Sequence, residues 1–405
     1  MINGEKVLDH PIRWAMVGGG RGSQIGYIHR SAALRDRSFE LVAGAFDINP
    51  ERGKDFGIQL GVAPERCYPD YKTMLMEEAK RSPEDRIEAV TIAVPNGLHY
   101  AVCKAVLEAG FHVVCEKPLC FTTEQAEELV HLADSKGLVV GVTYGYSGHQ
   151  LIEQARQMVL HGDLGEIRLI KMQFPFGAYN TAVEETNAAA RWRMDPAKAG
   201  PSFVLGDVGT HPLFLAETMV PDFEIESLMC TTKSFIPTRK LEDNAFVIMN
   251  LKGGAQATCW ASAINCGALH GQKVRIVGSK ASVEWYDERP NQLTYEIEGE
   301  PVRILERGGG CPCWCRRRQV GREVRGIGQE GCCLGQILIK VPYPQQKEPL
   351  IRAVFLCMPS YLAICLAVVA RRHAGDLVEG LVEIAGAVVA RADGNLRDGQ
   401  CGVDE

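Results

Sequence analysis

Residues 89–118 constrain this chain more than any other stretch. Two short apolar runs, Ala89–Val94 and His112–Cys115, flank a segment whose apolar positions recur at Ala101, Ala105, Val106 and Ala109. Strand, helix and strand at this spacing predict a βαβ unit, two parallel strands with a helix crossing one face. The second strand delivers Glu116-Lys117-Pro118 to its carboxyl end, the edge of an open parallel sheet where ligands sit. Pro118 restricts the backbone beside Lys117, which suits a lysine placed for chemistry. The plain alternative is a solvated loop lysine, and the rest of the chain decides between the two.

Upstream, Ile12–Gly19 reads as a strand that runs into GGGRGSQIG and then a helical pattern through Ala33. Backbone N–H groups of such a turn, together with a helix start, can hold a pyrophosphate. Gly18 and Gly20 fill the first two positions of G-x-G-x-x-G, Arg21 follows, and Ser23 stands at the third, small enough for close helix–strand packing. A second predicted strand, Phe39–Phe46, ends in Asp47. A carboxylate there can accept from an adenosine ribose and favours NAD; Arg52 nearby leaves NADP possible. Asp47-Ile48-Asn49-Pro50 also reads as a helix start, with Asp47 as a simple cap. Pro95 and Asn96 end the third strand on the side where a cofactor would pass. With a helix over Thr122–Lys136 and a fifth strand over Leu138–Tyr144, residues 1–148 are expected to form a doubly wound, parallel nucleotide-binding domain.

After Tyr144 the rhythm changes. A helical segment, Gln150–His161, is followed by the β-type runs Ile167–Phe176, Glu224–Ile236, Ala245–Leu251, Ala255–Ile264, Lys273–Val277, Ala281–Tyr286 and Leu293–Ile297. Lys252-Gly253-Gly254 reads as a hairpin turn. A helix followed by consecutive strands predicts an α+β domain on a largely antiparallel sheet over residues 149–310. Within it, GDVGTH puts Asp207 and His211 four residues apart, on one face if helical. A histidine able to take a proton, a carboxylate to orient it and a lysine to stabilise an alkoxide make the apparatus for oxidising an alcohol. Each also has a bland reading, a packed histidine and a helix cap; their joint occurrence after a nucleotide domain favours the chemical one.

The net charge of −6 excludes a protein built mainly to bind nucleic acid. The amino terminus has no positive flank followed by an apolar core, and the run Ala353–Ala370 is interrupted by Pro359 and Ser360 and is marginal for a membrane span. A cytoplasmic protein is expected. Of fifteen cysteines, seven are scattered through residues 1–310 and eight fall in the last 95 residues. Cys311, Cys313 and Cys315 lack the C-x₂-C spacing of a structural zinc site, and no metal is expected. Two readings of residues 311–405 stand beside each other: an atypical cysteine-rich tail, or a coding frame that slips near Gly310 and leaves an unevolved sequence.

AMVGGGRGSQIG, VTIAVPNGLHY, VVCEKP and GPSFVLGDVGTH, in this order, resemble the glucose–fructose oxidoreductase / inositol dehydrogenase / MocA family over roughly residues 12–305. The resemblance implies NAD(P)-dependent oxidation or reduction of sugars, inositols or related polyols, and a homo-oligomer, dimer or tetramer, built on the open sheet. It makes Lys117 the active-site lysine, Asp207 its carboxylate and His211 the proton-transfer histidine. Gly18, Gly20, Asp47, Pro95, Asn96 and Glu116 match cofactor-side positions; Arg21 and Ser23 lie in the same turn. Tyr146, His149, Arg191 and Trp192 are expected to line the substrate side. Many relatives carry an acidic residue three places after the histidine; Phe214 stands there and implies a drier pocket. The alternative class is a dinucleotide-binding regulator that keeps the fold without the chemistry, and a third reading is a chain too damaged by its tail to fold.

Overall fold

The computed structural model describes residues 10–35 and 37–308; the expectations for residues 311–405 lie outside them. The first domain opens with β1 (Ile12–Gly18), α1 (Gln24–Leu34), β2 (Phe39–Ala45), α2 (Pro50–Gln59) and α3 (Tyr71–Ala79). It continues with β3 (Ala89–Ala93), α4 (His99–Glu108), β4 (His112–Cys115), α5 (Thr123–Lys136) and β5 (Val140–Val142). The five strands are all parallel, in the order β2-β1-β3-β4-β5. The chain therefore leaves β1 toward one side and returns on the other. The gap between the carboxyl ends of β1 and β3 is where an open sheet of this kind binds its ligand.

Local chemistry sets the helix starts. Ser23, Asn49, Asp70 and Thr122 each accept a backbone N–H from the first turn of the following helix, satisfying donors with no intrahelical partner. Asn49, with Pro50 behind it, is thus the cap of α2, and Asp47 is not consumed as one. The buried strands β3 and β4 read as unbroken apolar runs because helices cover both faces of a parallel sheet.

The second domain begins with α6 (Gln150–Leu160) and β6 (Ile167–Pro175). After short helical turns and the helix Thr210–Met219 come β7 (Ile225–Lys233), β8 (Asn244–Leu251), β9 (Gln256–Ser262), β10 (Lys273–Gly278), β11 (Ala281–Tyr286), β12 (Gln292–Ile297) and β13 (Arg303–Glu306). They form one eight-stranded sheet, β13-β12-β11-β10-β6-β9-β8-β7, antiparallel except for the β6–β9 pair. In β8, Ala245, Val247, Met249 and Leu251 point into the core while Phe246, Ile248 and Asn250 face out, the period of two expected of a sheet covered on one side. α6 and the helix Thr210–Met219 supply the cover. One continuous core joins both domains, from Ile92 and Val113 through Phe203 to Val274 and Trp285. Among the described residues, no helix is long and apolar enough to cross a membrane.

Candidate active site

The glycine turn lies across the ends of β1, β2 and β3. Gly18 (φ +77°) and Gly20 have no room for a side chain: a Cβ would stand 2.3 Å from the Ala93 carbonyl oxygen and 2.4 Å from that of Phe46, respectively. The position that lets α1 close on the turn is Gly26, where a Cβ would fall 2.3 Å from the Gly19 oxygen. Ser23, expected to be that contact, is the α1 cap instead, its Oγ accepting from Gly26 N at 3.1 Å. The close approach thus falls at Gly26, three residues beyond the third fingerprint position. Arg30, unmarked in the sequence, locks the turn by donating to the Gly19 oxygen at 2.7 Å and lies over the Phe56 ring. Arg21 projects outward to Asp55 (2.7 Å).

Asp47 sits beside this turn, with Oδ2 3.8 Å from where a Gly20 Cβ would be. Its Oδ1 accepts from Asn49 N and Arg52 Nη2. The Arg52 bond, with the Asn49 N–H, holds its carboxyl below the ordinary range. Pro95 and Asn96 begin a short turn at the end of β3, and the Pro95 carbonyl accepts from Leu98 N. A glycine cradle that admits no side chain, a helix start and an ionised carboxylate at the end of β2 fit a dinucleotide.

Glu116 and Lys117 leave β4 next to that cradle. Glu116 turns inward: its Oε1 accepts from Thr143 Oγ1 at 2.6 Å and lies 3.0 Å from His29 Nε2. Burial pushes its pKa up, but these partners outweigh it and hold the carboxyl below the usual range. Glu116 thus ties β4 and β5 to α1. His99, also unforeseen, spans the same region, with one ring nitrogen 2.6 Å from the Pro118 oxygen and the other 2.9 Å from that of Val94.

Lys117 Nζ donates to the Asp207 carbonyl oxygen at 2.6 Å and to Asp207 Oδ1 at 2.8 Å. The other carboxylate oxygen, Oδ2, accepts from Arg193 Nε at 2.9 Å. Asp207 is therefore shared by two cations. Burial opposes its ionisation, yet the Lys117 and Arg193 charges prevail and hold it far below the ordinary carboxylate range. The expected partnership of Asp207 with the His211 ring is not formed. Leu205–Gly209 is a turn of π-helix, whose wider winding takes residues four apart out of line, and His211 Nδ1 is buried with no hydrogen-bond partner.

His211 still lies in the same electrostatic neighbourhood. Burial, helped by the Lys117 charge, pushes its pKa down to about 3, so the imidazole is neutral at physiological pH. Its ring is walled by Tyr146 (5.0 Å between centroids), Tyr144 (5.7 Å) and Phe174 (6.0 Å). Phe214 stacks on Tyr144 at 4.4 Å, an aromatic surface behind the histidine.

The remaining substrate-side expectations divide. Tyr146 belongs to this cluster. Trp192 holds Arg193, whose guanidinium lies 4.5 Å from its ring centroid. Arg191 donates to the carbonyl oxygens of Glu184 and Glu185, and it is Arg193, two residues on, that reaches Asp207. His149 is buried against Trp285 (5.2 Å), outside the rings around His211. Arg193 and His270, the latter 3.2 Å from the Tyr146 hydroxyl, were unmarked in the sequence because one sits in a three-residue 3₁₀ turn, Trp192–Met194, and the other in a loop.

Residues 12–144 match the oxidoreductase family with an NAD-binding Rossmann fold, and residues 152–284 match the GFO/IDH/MocA C-terminal domain. The chain is 55% identical to an uncharacterised oxidoreductase, YfiI, of Bacillus subtilis, over 76% of this chain and 79% of that one. It resembles the crystal structure of an inositol dehydrogenase homologue of Azotobacter vinelandii with NAD+, at 54% identity and a TM-score of 0.77, covering 94% and 92% of the two chains. The same homologue with NADH and myo-inositol matches at 52% identity and a TM-score of 0.75, over 94% and 92%. The chain belongs to the GFO/IDH/MocA family of oxidoreductases. Its first domain is an NAD-binding Rossmann domain.

Proposed function

We propose that this protein interconverts a secondary alcohol and a ketone on an inositol, a sugar or a related polyol, with NAD as hydride carrier. One observation carries the reading: Lys117, fixed by Asp207, stands with a neutral, half-buried His211 at the carboxyl edge of the NAD-binding sheet. The related Azotobacter vinelandii protein binds NADH and myo-inositol, which supports a polyol as substrate here.

NAD, held by the Gly18–Gly20 turn and Asp47, would supply the hydride acceptor for the carbinol carbon. The neutral His211 imidazole takes the hydroxyl proton, and the carbinol becomes a carbonyl. Lys117 donates a hydrogen bond to the oxygen as charge develops on it. Asp207 neutralises Lys117 in the resting site and, through its negative charge, favours the imidazolium once formed. Arg193 keeps Asp207 aimed at Lys117. In the reverse direction His211 returns the proton. A regulator that only senses the dinucleotide has no use for the Lys117–Asp207–Arg193 linkage.

Positioned proton transfer contributes roughly 10²–10⁴-fold in rate, and one preorganised electrostatic partner about 10²–10³-fold. His211→Ala and Lys117→Ala should each lower kcat on that scale with NAD affinity nearly intact, and the double variant should lose less than the product. Kinetics are to be read beside thermal melts. Loss of activity that tracks unfolding would make these residues structural, and wild-type kcat in a folded Lys117→Ala protein would end the proposal.

The division at 148/149 and a homo-oligomer are part of the same reading. Cross-strand register puts Met229 beside Ile248, and Trp260 beside Phe246, on the outer face of the large sheet. Met229, Phe246 and Ile248 are 64%, 48% and 45% exposed, an apolar face of the kind that marks an interface.

A further inference from the structure

Three segments distant in sequence meet beside His211. Tyr146 lies between β5 and α6, His270 precedes β10, and Asp287 follows β11. Glu288 Oε1 accepts the backbone N–H groups of His270 and Gly271, and Asp287 N donates to the Gln272 oxygen, so the two loops are bolted together. The His270 ring packs on Phe174 at 4.4 Å. Its Nδ1 is in close contact with Asp287 Oδ2, and its Nε2 is 3.2 Å from the Tyr146 hydroxyl. Asp287 is 4% exposed at its side chain, and its other oxygen, Oδ1, is buried without a partner.

Proton placement follows from the partners. An ionised carboxylate can only accept, so Nδ1 carries the ring hydrogen and Nε2 of the neutral imidazole presents a lone pair. The phenol has one hydrogen, and Nε2 receives it. Toward the pocket, Tyr146 can then offer only oxygen lone pairs. We infer that Asp287, His270 and Tyr146 form a directional hydrogen-bond chain that makes Tyr146 an acceptor for a hydroxyl next to the reacting carbinol. The chain selects vicinal diols over simple alcohols. Tyr146 contacts the substrate; His270 and Asp287 are positioning residues that act through it. The inference rests on the proposed reaction, because it places the carbinol at His211, 5.0 Å from the Tyr146 ring.

Binding and turnover are measured separately, with trans-1,2-cyclohexanediol and cyclohexanol as probes. Affinities are determined in the protein–NADH complex and kcat/KM with NAD. The wild type should prefer the diol by about tenfold or more, the worth of one well-made hydrogen bond. Tyr146→Phe and His270→Phe should bring that ratio near one, and His270→Gln, whose amide oxygen can take the phenol proton, should restore part of it. ¹⁵N imidazole spectra of the wild type should show His270 protonated at Nδ1, and Asp287→Ala should disturb that state. An unchanged diol preference in folded Tyr146→Phe and His270→Phe proteins, or a proton on Nε2, would overturn the inference. Diol binding with the expected ratio but no turnover would leave it standing and sink the proposed reaction instead. Failure of the wild type to bind the diol at all would overturn both.

Discussion

Asp47 and His149 show how one side chain's surroundings set its role. Asp47 keeps its charge because Arg52, with the Asn49 N–H, holds it ionised, and it stays beside the glycine turn because Asn49 caps α2 in its place. NAD should therefore bind more tightly than NADP, and Asp47→Ser should narrow the gap; fluorescence titration with both dinucleotides reads it, and a clear NADP preference in the wild type would contradict it. His149 carries a different consequence. Burial, with Arg307 adding to it, pushes its pKa down from 6.5 to about 4. As pH falls below 6.5 the unfolded chain takes this proton first, so stability drops until about pH 4 and is flat below. At about 1.4 kcal/mol per pKa unit, the loss from His149 (6.5 to about 4) is on the order of 3 kcal/mol. His211 slopes the same way down to about 3. Melts of His149→Gln against the wild type should show a shallower fall between pH 6.5 and 4; parallel curves would show that His149 does not titrate this way.

At the scale of elements, the β1 turn and α1 act as one clamp. A methyl at Gly26 would fall 2.6 Å from Gly19 Cα as well as 2.3 Å from its oxygen, so Gly26→Ala must push α1 off the turn. Overpacking of this kind costs about 1–3 kcal/mol, or roughly 5–150-fold in affinity if it acts on the dinucleotide cradle. NAD titration should find such a loss, with Ser23→Ala doing less because it removes only a cap; equal affinity in Gly26→Ala would contradict the clamp. The strands were legible where the apolar pattern was unbroken or strictly alternating, as in β3 and β8. β13 was not: Arg303–Glu306 is four residues, largely exposed, with no buried face to mark it. Lys117, Asp207 and His211 could be named because each sits in a recognisable run. Which of them touch could not, since a π turn re-aims Asp207 and a short 3₁₀ turn brings Arg193 to it.

At the scale of the whole molecule, the described residues close both sheets, with one core spanning the two domains and a smaller cluster around Trp14, Met16 and Phe46. If residues 311–405 are not an evolved continuation, truncation after Gly310 should cost little stability. Melts of both forms decide it, and a large loss of cooperativity on truncation would show that the tail packs on the domains. The outer face of the eight-stranded sheet should hold protomers together. Light scattering should report a dimer or tetramer, and Ile248→Glu should shift it toward monomer; a monomeric wild type would contradict this.

Deuterium transfer tests the proposed chemistry most directly. The folded protein is incubated with NAD and with myo-inositol and related polyols deuterated at carbon, and the NADH formed is weighed by mass spectrometry. Deuterium should appear in NADH together with a ketone product, and a folded Lys117→Ala variant that still binds NAD should transfer it at least roughly 100-fold more slowly. NAD binding without deuterium transfer from any polyol, or transfer at the wild-type rate by Lys117→Ala, would contradict it.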